Sequence, residues 1–253
     1  MPIEVHQFAC LSDNYGFLVR DRESGQTACI DTPDADAVLA ALKVTGWGLD
    51  MILNTHWHPD HAGGNAALKA ATGATVIGPK EVERISPLDR IVSDGDRVEL
   101  GQTPFDVLDT GGHTLGHVSY YCASANTVFV GDTLFALGCG RLFEGTPDQM
   151  WTSLSRLAAL PDETVVYCAH EYTASNAHFA LSLDTGAALG QRAEAIFEAR
   201  QRGEPTVPTT IGLEKATNPF LRPSALAGAL GLTGQSDTAV FAAIRAAKDA
   251  FKG

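Results

Sequence analysis

The sequence predicts an α/β domain with mixed sheets, followed by a mainly helical extension. Up to about residue 172, short β-branched or aromatic runs alternate with helical stretches, which is typical of an α/β fold. The runs 118–122 and 127–130 flank the short turn Ala-Ser-Ala-Asn, so the sheets are mixed rather than purely parallel. Beyond residue 172 we expect helices at 174–183, 191–202 and 237–251 and no strand. We therefore expect two domains, 1–172 and 173–253.

Individual elements follow from local patterns. Eight runs bounded by turn residues are predicted strands: GFLVR, TACID, MILNT, ATVIG, FDVLD, VSYYC, TVFVG and TVVYC. Thr32-Pro33 and Thr146-Pro147 each place a hydroxyl before a proline, which indicates a helix start. The second opens an amphipathic helix, and Gly203 is expected to end the middle C-terminal helix. The apolar stripe of the amphipathic helix consists of Met150, Leu154, Leu157 and Ala158.

Composition and charge exclude several classes of protein. The chain has 253 residues, of which 45% are hydrophobic and 19% charged, which excludes a disordered protein. No apolar run approaches the ~18 residues that a membrane span needs. The N-terminus has neither a basic region nor a long apolar stretch, so we expect no signal peptide and a cytoplasmic protein. A net charge of −12 disfavours binding to nucleic acid or to anionic membranes.

The cysteine pattern also favours a protein of the reducing cytoplasm. The five cysteines are odd in number, dispersed and never spaced C-x-x-C, which argues against a disulfide framework and a cysteine-rich zinc site. We expect each to be a small buried residue in a protein from a reducing compartment. They are Cys10, Cys29, Cys122, Cys139 and Cys168.

The predicted strand MILNT runs into the segment HWHPDH. Its pattern of His56, His58, Asp60 and His61 would arise by chance about 6 × 10⁻⁴ times in a chain of this composition, so coincidence explains it poorly. Residues two apart leave a strand on the same side, so His56 and His58 can bind one ion. Asp60 and His61, where the chain turns toward a helix, can face a second.

Three more polar residues follow predicted strands: His113 in TGGHTLGH, Asp132 in VGDT and His170 in CAHEYT. Taken singly, each is more often a capping or core residue. Strand ends at one edge of a sheet system converge, however, and two divalent ions need about this many nitrogen and oxygen ligands. Together they predict a dinuclear metal site.

Other candidates remain open at this stage. Asp31 is expected either to orient a ligand histidine or to serve as a helix-entry residue. His117 is expected either to be structural or to support a ligand from behind. Arg245, Lys248 and Lys252, spaced i, i+3 and i+7, either form an anion site on one face of the last helix or interact with its dipole.

The residue types also bear on the reaction. The chain has no G-x-S-x-G nucleophile elbow, whereas a pair of cations supplies a nucleophile at neutral pH. A thiol leaves as thiolate without prior protonation, whereas an amine needs an acid, and no motif assigns a carboxyl group to that role. This favours thioester over amide hydrolysis.

THWHPDH, GGHTLGH, GDT and AHEYT, in this order, resemble the metallo-β-lactamase superfamily of dinuclear metal hydrolases. Within it, LSDNY, GDTLFALGCGRLFEGT, CAHEYT, NPFLR and the basic segment IRAAKDAFK are similar to the glyoxalase II (hydroxyacylglutathione hydrolase) family. The resemblance covers essentially the whole chain. It implies a four-layer αββα sandwich of two mixed sheets with a C-terminal all-helical extension.

The resemblance also implies roles for the candidate residues. His56, His58 and His113 would bind the first metal, Asp60, His61 and His170 the second, and Asp132 would bridge. Asp60 and Asp132 would act catalytically through a metal-bound hydroxide. The two divalent ions would most simply be zinc, with iron or manganese as alternatives. Substrate contacts would come from Arg141, Phe143, Tyr172, Arg245 and Lys248. Some relatives have Lys and Tyr where this chain has Arg141 and Phe143, which predicts one hydrogen bond fewer to glutathione.

The implied activity is hydrolysis of S-(2-hydroxyacyl)glutathione, typically S-D-lactoylglutathione, to the hydroxy acid and glutathione, the second step of methylglyoxal detoxification. Its partner is this small molecule, and we expect a monomer or weak dimer. An alternative is a mononuclear-iron glutathione persulfide dioxygenase of the same superfamily, although such enzymes generally lack the helical extension. A β-lactamase and a non-catalytic binding protein fit the motifs less well.

Overall fold

The computed structural model describes residues 2–252, and the chain divides into two compact units. The first unit ends at Thr110 and resumes over Gly116–Gly131. The second comprises Gly111–Leu115 and the chain from Asp132 onward. The connection between residues 110 and 132 therefore alternates between the units.

A mixed sheet organises the first unit. Its six strands lie in chain order, with β1 to β3 antiparallel and β3 to β6 parallel. They are β1 (Ile3–Cys10), β2 (Asn14–Asp21), β3 (Thr27–Ile30), β4 (Met51–Leu53), β5 (Thr75–Gly78) and β6 (Arg90–Ile91). The helices of this part are α1 (Ala35–Thr45), α2 (Pro59–Ala62) and α3 (Asn65–Thr72), with a 3₁₀ helix at Lys80–Arg84. Buried Val38 of α1 and Leu68 of α3 share a core with Leu18 and Ile52 of the sheet, which fixes the strand ends that carry the site.

Four further strands of the first unit are antiparallel. Their order is β10-β9-β8-β7, with β7 at Arg97–Leu100, β8 at Thr103–Asp109, β9 at Val118–Cys122 and β10 at Thr127–Gly131. A 3₁₀ turn at Ala123–Ala125 joins β9 to β10, and Asn126 ends it in the left-handed conformation. The predicted antiparallel pair is confirmed.

The second unit is mainly helical. Its strands are β11 (Leu134–Phe135), β12 (Gly138–Cys139), β13 (Val165–Cys168) and β14 (Thr209–Thr210). Its helices are α4 (Pro147–Ala158), α5 (Thr173–Leu183), α6 (Ala187–Gln201), α7 (Ile211–Thr217), α8 (Pro223–Leu226) and α9 (Asp237–Ala250), with a 3₁₀ helix at Pro219–Leu221. The three predicted C-terminal helices correspond to α5, α6 and α9. The expectation of no strand beyond residue 172 is wrong, because β14 pairs with β13. A strand of two residues is too short to show the alternation of apolar and polar residues by which strands are predicted.

Helix capping confirms one predicted start and corrects the other. The Thr146 side chain accepts the Gln149 amide and caps α4. α1 is capped instead by Asp34, which accepts the Ala37 amide at 2.9 Å. Thr32 is not the cap, since its hydroxyl donates to Asn65 at 2.6 Å. As predicted, the chain beyond α6 leaves the helix at Gly203, whose φ of 72° is left-handed.

A buried polar network fixes the β11–β12 hairpin. Glu214, fully buried, accepts the Leu137 amide at 2.9 Å and pairs with Arg192. Asn218, from the NPFLR segment, donates to the carbonyls of Phe135 at 3.1 Å and Gly138 at 3.0 Å. Satisfied buried networks of this kind hold one conformation, so the hairpin is rigid where it approaches the site.

Two sequence-based exclusions can be compared with the structure. All five cysteines are buried and free, which confirms the expectation that each is a small buried residue. Over residues 2–252, none of the helices is both long and apolar enough to span a bilayer.

Candidate metal centre

The first unit supplies four of the predicted ligands where β4 leads into α2. His56 and His61 are buried, and the His56 Nε2 atom lies 3.0 Å from His58 Nδ1. The His61 Nε2 atom lies 3.6 Å from Asp60 Oδ2. The ring centroids of His56 and His61 are 4.0 Å apart. The structure therefore brings these four side chains together within this unit.

Asp31 orients this group. Its carboxylate accepts the Thr55 amide at 2.7 Å, the Thr55 hydroxyl at 2.8 Å and His61 Nδ1 at 2.9 Å. Because a carboxylate only accepts, Nδ1 of His61 carries the proton and Nε2 offers its lone pair. Of the two roles left open, the structure therefore supports the orienting one. The backbone of Asp31 is left-handed, with φ 56°; the chain turns there so that the carboxylate faces Thr55.

The second unit supplies the other three ligands. His113, Asp132 and His170 are all buried. Asp132 Oδ2 lies 3.4 Å from His113 Nε2, and Asp132 Oδ1 lies 3.3 Å from His170 Nε2. His113 Nδ1 donates to the Arg141 carbonyl at 2.8 Å, so its Nε2 also offers a lone pair. One carboxylate thus faces two imidazoles, one through each oxygen.

These donor sets fit a divalent cation. Two ligands on a tetrahedral zinc, with bonds of about 2.0–2.1 Å, lie about 3.3 Å apart, close to the separations of 3.0–3.6 Å in both units. In His61 and His113 a nitrogen lone pair faces a carboxylate oxygen, an arrangement that a positive charge stabilises. Imidazole and carboxylate ligands suit zinc, iron and manganese alike.

A cavity of about 460 Å³ in the second unit adjoins these ligands. Its lining includes His113 and Asp132 and all five residues predicted to contact substrate. The whole lining consists of His113, Asp132, Phe135, Cys139, Arg141, Phe143, Tyr172, Ser175, Asn176, Arg245, Lys248 and Phe251.

Aromatic side chains join the ligands to the cavity. The Tyr172 ring stacks on His170, with centroids 4.7 Å apart and planes 2° apart. The Phe143 ring meets His113 edge-on at 5.2 Å and is 63% exposed. Phe135 packs its edge against Tyr172 at 5.5 Å. The walls next to the ligands are therefore apolar and partly open.

The three cationic side chains of the cavity differ in burial and in their hydrogen-bond partners. Arg245 is buried and donates to the Cys139 carbonyl at 2.9 Å and to Asp249 at 2.8 Å. Arg141 is exposed, with its Nε 3.8 Å from Asp249. Lys248 donates to the Ser175 carbonyl at 3.1 Å and to its hydroxyl at 3.2 Å. Burial, followed by the charges of Arg245 and Arg141, lowers the pKa of Lys248 to about 8.

Lys252 does not belong to the stripe predicted from its spacing. α9 ends at Ala250, and Phe251 is extended with ψ 129°. The i+7 relation to Arg245 therefore does not hold, because Lys252 lies beyond the last helical turn. Phe251 itself lines the cavity.

Sequence patterns missed part of the lining and correctly set aside one histidine. Ser175 and Asn176, in the first turn of α5, directly continue the AHEYT motif, and this proximity was the available signal. His117 contacts the Thr110 hydroxyl at 3.0 Å and stacks on His56 at 4.9 Å, which agrees with a structural role. Burial raises the pKa of the Cys139 thiol to about 11, so this cavity residue is a poor nucleophile.

Comparisons with known proteins agree with these features. The model of the metallo-β-lactamase superfamily matches residues 19–170, and that of the hydroxyacylglutathione hydrolase C-terminus matches residues 171–251. A hydroxyacylglutathione hydrolase of Erythrobacter litoralis (strain HTCC2594) is 55% identical over 250 residues, 98% of this chain and 100% of the relative. One from Maricaulis maris (strain MCS10) is 57% identical over 251 residues, 98% of each chain.

Solved structures show the same fold. ETHE1 from Myxococcus xanthus has a TM-score of 0.68 and 29% identity, covering 98% of this chain and 99% of its own. TTHA1623 in a di-iron-bound form has a TM-score of 0.63 and 29% identity, covering 86% of this chain and 100% of its own. The predicted metallo-β-lactamase fold with its helical C-terminal region is confirmed. With a metal-ligand set on this fold and relatives matched over nearly its full length, the chain belongs to the hydroxyacylglutathione hydrolase family of the metallo-β-lactamase superfamily.

Proposed function

We propose that this protein is a metal-dependent thioester hydrolase that cleaves S-(2-hydroxyacyl)glutathione, typically S-D-lactoylglutathione, to the hydroxy acid and glutathione. The observation that carries the proposal is the cavity of the second unit. Two candidate ligands, three cations and a set of aromatic residues line the same space, which suits a small anionic thioester held beside a metal. The names of the full-length relatives support the same activity.

The proposed metal site has seven ligands. His56, His58 and His113 would bind the first ion, Asp60, His61 and His170 the second, and Asp132 would contact both. The placement of Asp132 between the imidazoles of His113 and His170 supports a bridging role. When bound, two divalent ions supply a nucleophile at neutral pH and polarise the carbonyl oxygen. Zinc is the metal that we propose first, and the di-iron form of a structural neighbour supports iron as an alternative.

The protein's own residues position the reacting groups. Asp31 and the Arg141 carbonyl each hold a protonated Nδ1, so that His61 and His113 present Nε2 to the centre. Asn14 donates to Asp60 Oδ2 at 3.1 Å and restrains that carboxylate. We assign the catalytic roles to Asp60 and Asp132, because both hold carboxylate oxygens against ligand imidazoles.

Substrate binding would use the remaining cavity residues. Arg141 and Lys248 present positive charge to a carboxylate of glutathione, and Tyr172 and Phe143 pack against its peptide part. Arg245 is bonded to the Cys139 carbonyl and Asp249, so its contribution is to the potential of the cavity and to the position of the hairpin. Phe143 has no hydroxyl group to donate to the substrate.

The remaining properties follow from this assignment. We assign the metal domain to residues 1–172 and the glutathione-binding domain to residues 173–253. The protein would act in the cytoplasm, in the second step of methylglyoxal detoxification, as a monomer or weak dimer that binds neither nucleic acid nor membranes. Its acidic net charge of −12 supports the last point.

The test combines elemental analysis of the purified protein with hydrolysis of S-D-lactoylglutathione, followed by the loss of thioester absorbance. The proposal expects two metal ions per chain and metal-dependent turnover. One ion per chain and oxygen uptake with glutathione persulfide would instead support the dioxygenase alternative. Metal binding with no turnover of any glutathione thioester would refute the hydrolase.

A further inference from the structure

Glu171, within the AHEYT segment, has no part in the proposed chemistry. It lies between His170, a candidate metal ligand, and Tyr172, a wall of the cavity. Its side chain is nonetheless 7% exposed. A carboxylate buried to this extent is costly unless it is hydrogen-bonded, so its partners explain why it is there.

Those partners are in the connector that follows α6. Glu171 Oε2 accepts the Thr206 amide at 2.8 Å, and Oε1 accepts the Thr206 hydroxyl at 2.7 Å. The Arg200 guanidinium, near the end of α6, lies 3.6 Å from Oε2. Both carboxylate oxygens are therefore bonded to one residue, and a cation balances the charge.

We propose that Glu171 is a positioning residue that fixes the backbone between His170 and Tyr172, so that the metal ligand and the substrate wall keep one geometry. His170 faces Asp132 at 3.3 Å, and its ring is stacked within 2° of parallel to Tyr172. A rotation of the peptide on either side of Glu171 would break one of these contacts. The inference rests on the proposed function only through the ligand role of His170.

The contacts of Glu171 set it apart from a catalytic group. Its oxygens are bonded to Thr206, and it is not among the residues that line the cavity. We assign its influence to the main chain that it shares with His170 and Tyr172. Partners that orient a metal ligand typically change metal affinity or activity by about 10–100-fold when they are mutated.

Glu171→Gln tests this role, since an amide keeps the shape but removes the charge that Arg200 balances and turns one of the two acceptors of Thr206 into a donor, so the Thr206 hydroxyl must reverse its bond. The matched control is Glu204→Gln, which removes an equal charge from the connector that carries Thr206. Glu204 is exposed and pairs with Arg202 at 2.8 Å, away from the cavity lining. Thr206→Val is a milder variant, which removes the hydroxyl donor and keeps the backbone amide.

Each holoenzyme would be challenged with a competing chelator to obtain its metal affinity, and kcat and KM would be measured well below the melting temperature. For Glu171→Gln we expect metal affinity and kcat to fall at least about tenfold, with an increase in KM, and smaller changes in the same direction for Thr206→Val. Glu204→Gln should match the wild type.

A lower melting temperature with unchanged metal affinity and kcat would overturn the proposal, because it would show a purely structural residue. Equal losses in Glu204→Gln would also overturn it. The metal competition needs no substrate, so it tests Glu171 even if the wild-type protein fails to hydrolyse S-D-lactoylglutathione. If Glu171→Gln does not fold, Thr206→Val provides the same measurements.

Discussion

The half-buried position of Lys248 predicts that substrate binding weakens near pH 8. Burial is the largest cause that lowers the pKa of its ammonium group from 10.5 to about 8, and Arg245 and Arg141 add to the effect while Asp249 opposes it. The group still donates to Ser175. If Lys248 binds a substrate carboxylate, the free protein binds substrate only when the Lys248 side chain is protonated.

The magnitude follows from this pKa. About 90% of the Lys248 side chains are charged at pH 7 and about 10% at pH 9. Apparent affinity scales with the competent fraction, so KM should rise about tenfold between these values if the neutral form does not bind. In contrast, kcat should change much less, because Lys248 lies outside the metal ligand set.

The assay measures initial rates of S-D-lactoylglutathione hydrolysis between pH 7 and pH 9, in the presence of excess metal. Lys248→Arg is the matched control, since a guanidinium stays charged throughout this range. Titration of the substrate itself affects both proteins equally and cancels in the comparison. A wild-type KM that varies with pH no more than that of Lys248→Arg would refute the reasoning.

Four further predictions concern stability, metal binding and affinity. Lys248→Met should raise the free energy of unfolding at pH 7 by at most about 3 kcal/mol, because it removes a charge that burial destabilises. Urea unfolding should show that this gain over the wild type shrinks between pH 8 and 10.5, where Lys248 of the folded wild type is neutral. Asp31→Asn sets an amide among three donors, so chelator competition should show about 10–100-fold weaker metal binding. Asp132→Ala should lose at least one ion per chain in elemental analysis and about 100-fold or more in kcat; full metal content would contradict its bridging role. Phe143→Tyr should lower KM about 2–10-fold, the value of one added hydrogen bond, and an unchanged KM would show that no such bond forms.

The elements with strong local signals were predictable. Every predicted strand run overlaps an observed strand, and Thr146 caps α4 as expected because the capping bond is local. β1 and β7 gave weaker patterns and were not anticipated. The start of α1 was misassigned because two residues on either side of Pro33, Thr32 and Asp34, were competent to cap, and the contact between Thr32 and Asn65 decided between them.

The candidate site was also predictable only in part. The HWHPDH spacing indicated four ligands, since a strand end and the following turn fix their relative positions. The distribution of the positive charge was not predictable from spacing. Arg245 is engaged by Cys139 and Asp249, while Lys252 lies beyond the helix.

By itself, the sequence determined the types of candidate ligand, the family and the order of the main elements, because residue chemistry and short-range periodicity are properties of the chain. Only the tertiary structure decided which nitrogen of His61 and of His113 is protonated, that Glu171 accepts hydrogen bonds from Thr206, and that the pKa of Lys248 lies near 8. Each of these depends on hydrogen-bond partners or on a loss of water that residues distant in sequence impose, and no local pattern carries that information.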